Sequence, residues 1–190
     1  MSLIHEQIYQ SETLAHLNFG EYIDALSEKL FSAYCVDPSR IRLELSVEPI
    51  RFGVDQAIPC GLILNELISN SLKHAFSDGR RGVIRVSVRA KENGFVELSV
   101  SDNGVGLPVD FRSETCQTLG LQVVRTLVRQ LKADLPVTGG AVAGGGGATF
   151  TFGWQRPEAS LAATAMDVHT TPQAGFIHPP ELCEVGCSRA

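Results

Sequence analysis

The sequence has no surplus of positive charge. Its 16 Lys and Arg face 21 Asp and Glu, a formal charge of −5, so no general basic field marks it for nucleic acid or an anionic membrane, and an anionic ligand needs a local site. No apolar run approaches the roughly 20 residues of a membrane span, and the N-terminus lacks a basic-then-apolar leader. The 5 cysteines, Cys35, Cys60, Cys116, Cys183 and Cys187, are odd in number and scattered. That spacing argues against a disulfide framework and for reduced thiols in the cytoplasm. Neither a Gly-Lys-Ser/Thr phosphate loop nor a GxGxxG after a first strand is present, which excludes the two commonest phosphate-binding loops.

What is there suits one globular domain with appendages: 190 residues, 44% of them apolar, enough for a packed core. Apolar periodicity predicts a short helix over 4–17 and another over 22–34. Residues 42–47 alternate as a half-buried strand, which 50–52 extends or pairs with. A long helix starts near Pro59, where a missing N–H does least harm, and runs to about Phe76. Two alternating runs, 83–90 and 95–101, flank Lys91-Glu92-Asn93-Gly94 as a β-hairpin. The polar, glycine-bearing stretch 102–118 has the length of a lid or binding loop. A helix over 119–131 follows, then closing strands at 133–138 and 148–154 around the glycine-dense 139–147. From 157 to 190 periodicity is lost, as in a flexible tail.

Chemistry concentrates on the long helix. Glu66, Asn70, Lys73 and His74 fall within about 100° of one another on a helical wheel, opposite Leu64, Ile68, Leu72 and Ala75. An acid, an amide, an amine and an imidazole on one face suit a metal–phosphate ligand, although a solvated helix face has the same pattern. Asp102 ends an alternating strand and leads into Asn103-Gly104-Val105-Gly106. Its carboxylate is placed to accept a hydrogen bond and the glycines allow close approach of backbone, while Asp-Asn-Gly is equally good turn chemistry. Thr118-Leu119-Gly120-Leu121 sits where a helix N-terminus favours phosphate. Gly147-Ala148-Thr149-Phe150 opens the last strand.

In order and spacing, Glu66-x-x-x-Asn70-x-x-Lys73-His74, Asp102-x-Gly104-x-Gly106, Gly120 and Gly147-x-Thr149 resemble the N, G1, G2 and G3 boxes of the GHKL (Bergerat-fold) ATPases. The strings 64–76 and 119–124 look most like the catalytic domain of bacterial sensor histidine kinases. The N-terminal run from His5 to Ser11, with Tyr22-Ile23-x-x-Leu26, is similar to the end of the dimerisation segment in the second HisKA class, related to the HWE kinases. The resemblance spans roughly residues 4–154. It implies an α+β two-layer sandwich, helices on one face of a mixed, mainly antiparallel sheet, binding ATP and Mg²⁺. By position, Asn70 would hold Mg²⁺, Lys73 and His74 would reach phosphates or ribose, and Asp102 would recognise adenine with support from Thr149. Gly104, Gly106, Leu119, Gly120, Leu121 and Gly147 would shape the pocket and lid, and Glu66 matches the acid that polarises water in the ATPases. The lid departs from commoner kinases in having one short glycine motif and no separate F box.

The same resemblance divides the chain into a remnant of dimerisation helices and linking helix (1–34), an ATP-binding domain (35–156) and a tail (157–190). The full protein is expected to transfer the γ-phosphoryl of ATP to a histidine and thence to a response-regulator aspartate, as a homodimer through upstream helices. The acceptor is expected before His5, so the fragment alone is not expected to phosphorylate itself; His5 and His16 are weaker candidates. Rival readings are a GHKL ATPase or serine kinase, with Glu66 as base, and a degenerate phosphotransfer or docking module. Cys183, Cys187, His169 and His178 lack the paired spacing of a zinc site.

Overall fold

The computed structural model describes residues 17–107, 111, 118–133, 138–141 and 146–156. His5, His16, most of the helix expected over 4–17, much of the loop before Thr118, and the tail with its Cys and His residues lie outside the described residues.

The described chain opens with a short strand, β1 (Leu17–Asn18), and helix α1 (Phe19–Ala33). Asn18 caps α1 by accepting from the Gly20 N–H at 3.2 Å, which satisfies one of the first-turn donors. Phe19, Tyr22, Ile23, Leu26 and Leu30 follow the helical period and are buried. At the other end the Val36 N–H donates to the Phe31 carbonyl and the Cys35 N–H to the Ser32 carbonyl, both at 3.0 Å, with Cys35 at φ +47°. This is a Schellman stop built without glycine. It fixes Tyr34 as the capping residue of α1.

Strand β2 (Ile41–Val47) follows, then β3 (Arg51–Phe52). The expectation that 50–52 extends or pairs with β2 is corrected: β3 pairs with β1, Leu17 opposite Phe52. The reason is burial. Phe52 is fully buried between Phe19 and Trp154, with ring centroids 4.5 and 5.5 Å away, and such aromatic contacts outweigh continuation of an edge strand. Helix α2 (Val54–Asn70) starts from Gly53, earlier than its sequence signal. Pro59 therefore lies inside the helix, and no N–H reaches back to the Asp55 carbonyl. The polar first turn, Asp55 and Gln56, hid this start.

Strand β4 (Gly82–Ala90) runs parallel to β2, from Ile41 opposite Gly82 to Val47 opposite Val88, with α2 in the crossover. Strand β5 (Phe95–Asp102) pairs antiparallel with β4 as the expected hairpin. Helix α3 (Leu119–Gln130) packs beside α2. Strands β6 (Thr138–Ala141) and β7 (Ala148–Gln155) close the sheet in the order β2-β4-β5-β7-β6. The result is the expected α+β fold on a mixed, mainly antiparallel sheet. The first closing strand was expected over 133–138, yet β6 runs through Gly139 and Gly140. Its ladder is set by β7, Ala141 opposite Ala148, and glycines carry no side-chain alternation from which to read a strand.

One core joins these elements. Val96, Leu98 and Val100 of β5 and Phe152 and Trp154 of β7 meet Ile63, Leu64, Leu67 and Ile68 of α2 and Leu121, Val124 and Val128 of α3. Phe19, Ile23 and Leu30 of α1 are in the same cluster, although the sequence division assigned α1 to the 1–34 segment.

Candidate nucleotide site

The alternation of β5 sends Val96, Leu98 and Val100 inward, and the same period carries Asp102 to the buried face at the strand's end, 7% exposed. Three donors hold the carboxylate there. Oδ1 accepts from the Gly104 N–H at 3.0 Å and the Ala148 N–H at 3.3 Å, and Oδ2 accepts from the Ser71 hydroxyl at 3.0 Å. A buried acid requires such partners. Asn103 turns the chain: its side-chain oxygen accepts from the Val83 N–H at 2.7 Å, which ties the loop to the start of β4.

Helix α2 continues into a π turn, Ser71–Ala75. The wider turn alters the wheel on which Lys73 and His74 were placed, and it points Ser71 at Asp102. It also presents the Ala75 carbonyl to the loop, where it accepts from the Val105 N–H at 2.8 Å. Gly104 lies against this carbonyl so closely that a Cβ would collide with backbone, a contact only glycine permits. Gly106, at φ +81°, approaches the Gly147 backbone, and Gly147, at φ +131°, lies against the Asp102 carbonyl. The two glycine motifs thus meet around the carboxylate.

Glu66 and Asn70 are half-buried on the free face of α2, while Lys73 and His74 are exposed. At the N-terminus of α3, Gly120 faces the first two: a Cβ there would stand 2.7 Å from Glu66 Oε2 and 3.9 Å from Asn70 Nδ2. Leu119 is 77% exposed and Leu121 is buried, so the helix begins with its backbone open on the Glu66 side and its next residue in the core. Lys73 Nζ stands 5.6 Å from the ring centroid of Tyr34. The Ser69 hydroxyl, hydrogen-bonding to that phenol, and then Lys73 hold its pKa below the ordinary value against its partial desolvation and the Glu66 charge.

Thr149 requires a correction. In the β5–β7 register Asp102 is opposite Ala148 and Ser101 opposite Thr149, so Thr149 belongs to the other face of the sheet. The residue beside the buried carboxylate is Ala148, which serves it through its backbone N–H. Sequence reading also passed over Ser71, the Ala75 carbonyl and Tyr34. Ser71 adjoins Asn70 but is a common residue on a helix face; a π turn leaves no signature in apolar period; and Tyr34 lies far from the motif in sequence. A separate cleft of about 540 Å³, lined by Arg40, Arg42 and Arg81, shares only Asn103 with this loop.

The geometry is that of a known family. The family model of histidine kinase-, DNA gyrase B- and HSP90-like ATPases matches residues 55–158, more than half of the chain, and a histidine kinase model matches residues 1–34. Blue-light-activated histidine kinase 2 of Erythrobacter litoralis is 33% identical over 100 residues, 53% of this chain and 29% of that protein. The sensor histidine kinase PdtaS of Mycobacterium tuberculosis is 33% identical over 132 residues, 67% of this chain and 25% of that protein. The chain therefore spans well under half the length of the curated relatives it matches. Among solved structures, the histidine kinase domain of the Erythrobacter litoralis EL346 blue-light activated kinase superposes with a TM-score of 0.67 at 25% identity, over 80% of this chain and 74% of that one. The chain belongs to the histidine kinase-, DNA gyrase B- and HSP90-like ATPase family, and within it to the ATP-binding catalytic domains of sensor histidine kinases.

Proposed function

We propose that this domain binds Mg²⁺-ATP with adenine at Asp102 and phosphates along the Asn70 face of α2, and donates the γ-phosphoryl group to a histidine of the parent kinase. The carrying observation is the buried carboxylate. A carboxylate has about four acceptor positions; three of those on Asp102 are used by Gly104, Ala148 and Ser71. The remaining one, on Oδ2, suits the exocyclic amine of adenine, and guanine presents a carbonyl there instead.

The donor set of Glu66 and Asn70, two oxygen-bearing side chains converging on Gly120, fits Mg²⁺, a hard cation that takes few protein ligands and keeps phosphate and water as others. Asn70 would hold it, and the ion would neutralise phosphate charge. Glu66 would accept a hydrogen bond from a water bound there. Lys73 and His74 supply charge and donors to the phosphates or ribose, and the Leu119–Leu121 backbone offers N–H groups at a helix start. Gly104, Gly106 and Gly147 shape the adenine end. Phosphoryl transfer of this kind is largely positioning and charge stabilisation: a P–N bond to the acceptor histidine forms, the bond to the β-phosphate oxygen breaks, and ADP leaves. Full-length ShkA, a solved structure that shares this fold at 22% identity, is in complex with AMPPNP.

We assign the acceptor to a segment of the parent before His5, the next acceptor to a response-regulator aspartate, and dimerisation to the upstream helices. Because α1 shares the catalytic core, the ATP-binding unit takes in residues 17–156. No described helix is long and apolar enough to cross a membrane; we place the domain in the cytoplasm because ATP and response regulators are there. Calorimetric titration with Mg²⁺-ATP tests the reading: the wild type binds and Asn70→Ala does not. Absence of binding by the wild type would refute it.

A further inference from the structure

The polar face of α2 has two flanks. Gly120 forms one. The other is Tyr34, which none of the motifs contains. As the C-cap of α1, Tyr34 has its backbone fixed by the Schellman bonds of Val36 and Cys35, and its ring is 38% exposed. The Lys73 ammonium lies 5.6 Å from the ring centroid, within cation–π range.

We propose that Tyr34 is a positioning residue of the nucleotide site, its ring keeping the Lys73 ammonium on the face shared by Glu66 and Asn70, ready for phosphate. The inference rests on the nucleotide reading above. A lysine head rides on a flexible four-carbon stem, and confining that stem costs conformational entropy at the moment a ligand arrives. An aromatic face meets part of this cost in advance and leaves the outer side of the ammonium free for an anion. Tyr34 also ends the segment matched by the histidine kinase model, so the contact links the position of α1 directly to a phosphate-side cation.

Two readouts test it. In ¹H–¹³C spectra of the wild-type chain without nucleotide, the Lys73 ε-protons are expected upfield through the ring current, with the shift kept in Tyr34→Phe and lost in Tyr34→Ala. In titrations with Mg²⁺-ATP, Tyr34→Ala weakens binding about two- to fivefold, and so does Tyr34→Leu, which keeps bulk without the π face. Tyr34→Phe, which keeps the π face and loses the phenol, weakens binding less than Tyr34→Ala does. In a Lys73→Met background Tyr34→Ala has no further effect, a result that a merely structural role would not give. An equal loss in both backgrounds, or wild-type binding without an upfield Lys73 shift, overturns the inference alone. A wild type with shifted Lys73 but no affinity for Mg²⁺-ATP overturns the nucleotide reading, and this inference with it.

Discussion

The Ser71 hydroxyl donates to Asp102 Oδ2 at 3.0 Å, joining the π turn at the end of α2 to the end of β5. Together with the Ala75–Val105 bond, it ties the Asp102 carboxylate and the loop after it to the end of α2. Ser71→Ala leaves a buried carboxylate with one donor fewer. The expected loss of stability is about 1.5–3 kcal/mol, the range for hydrogen bonds to charged groups, read as a lower urea midpoint with unchanged slope. Mg²⁺-ATP affinity falls in parallel, because Asp102 is less well oriented.

At Gly120 a Cβ would stand 2.7 Å from Glu66 Oε2. Gly120→Ala therefore displaces the Glu66 carboxylate while improving intrinsic helix propensity, so affinity and stability part company. Thermal unfolding stays within a few degrees of wild type, whereas Mg²⁺-ATP binding weakens by about tenfold, equivalent to roughly 1.4 kcal/mol. Parallel loss of both would show that the position is structural only.

Cys35 holds a left-handed conformation, φ +47°, at the stop of α1. A non-glycine residue pays about 1–2 kcal/mol there, partly offset by the greater freedom glycine has when unfolded. Cys35→Gly is expected to raise stability by about 0.5–1 kcal/mol in urea unfolding. It leaves the Tyr34 ring in place, so the Lys73 shift is retained.

Burial, with a smaller contribution from the Cys60 charge, pushes the Tyr22 phenol up to about 12, and its hydroxyl has no hydrogen-bond partner among the described residues. The folded state thus binds the phenolic proton more tightly than the unfolded state, whose value lies near 10. The associated stability is fully present below pH 10 and is lost between about pH 10 and 12. Urea midpoints measured from pH 8 to 11.5 should fall less steeply for Tyr22→Phe than for wild type. At pH 7 that variant is no less stable than wild type, because an unpaired buried hydroxyl contributes nothing.

Much of this site could be read from the sequence because it rests on simple periods. The alternation Val96, Leu98, Val100 carries Asp102 to the buried face, and the helical period puts Glu66 and Asn70 on one stripe. Where a single residue decides, sequence reading failed. Thr149 and Ala148 differ by one step in register, and a one-step slip moves a side chain to the other face. Ser71 depends on a π turn, and Tyr34 on the packing of α1 against α2, a tertiary relation with no local signature. The partner of β3 was equally hidden, since two residues carry no pairing information until Phe52 is seen against Trp154.

The most direct measurement is a calorimetric titration of the wild type and Asp102→Asn with Mg²⁺-ATP and Mg²⁺-GTP. The expected result is wild-type binding of Mg²⁺-ATP alone, with at least about a tenfold loss, roughly 1.4 kcal/mol, in a variant that unfolds cooperatively like wild type. Equal wild-type affinity for the two nucleotides, or undiminished Mg²⁺-ATP binding by Asp102→Asn, would contradict the assignment of adenine to this carboxylate.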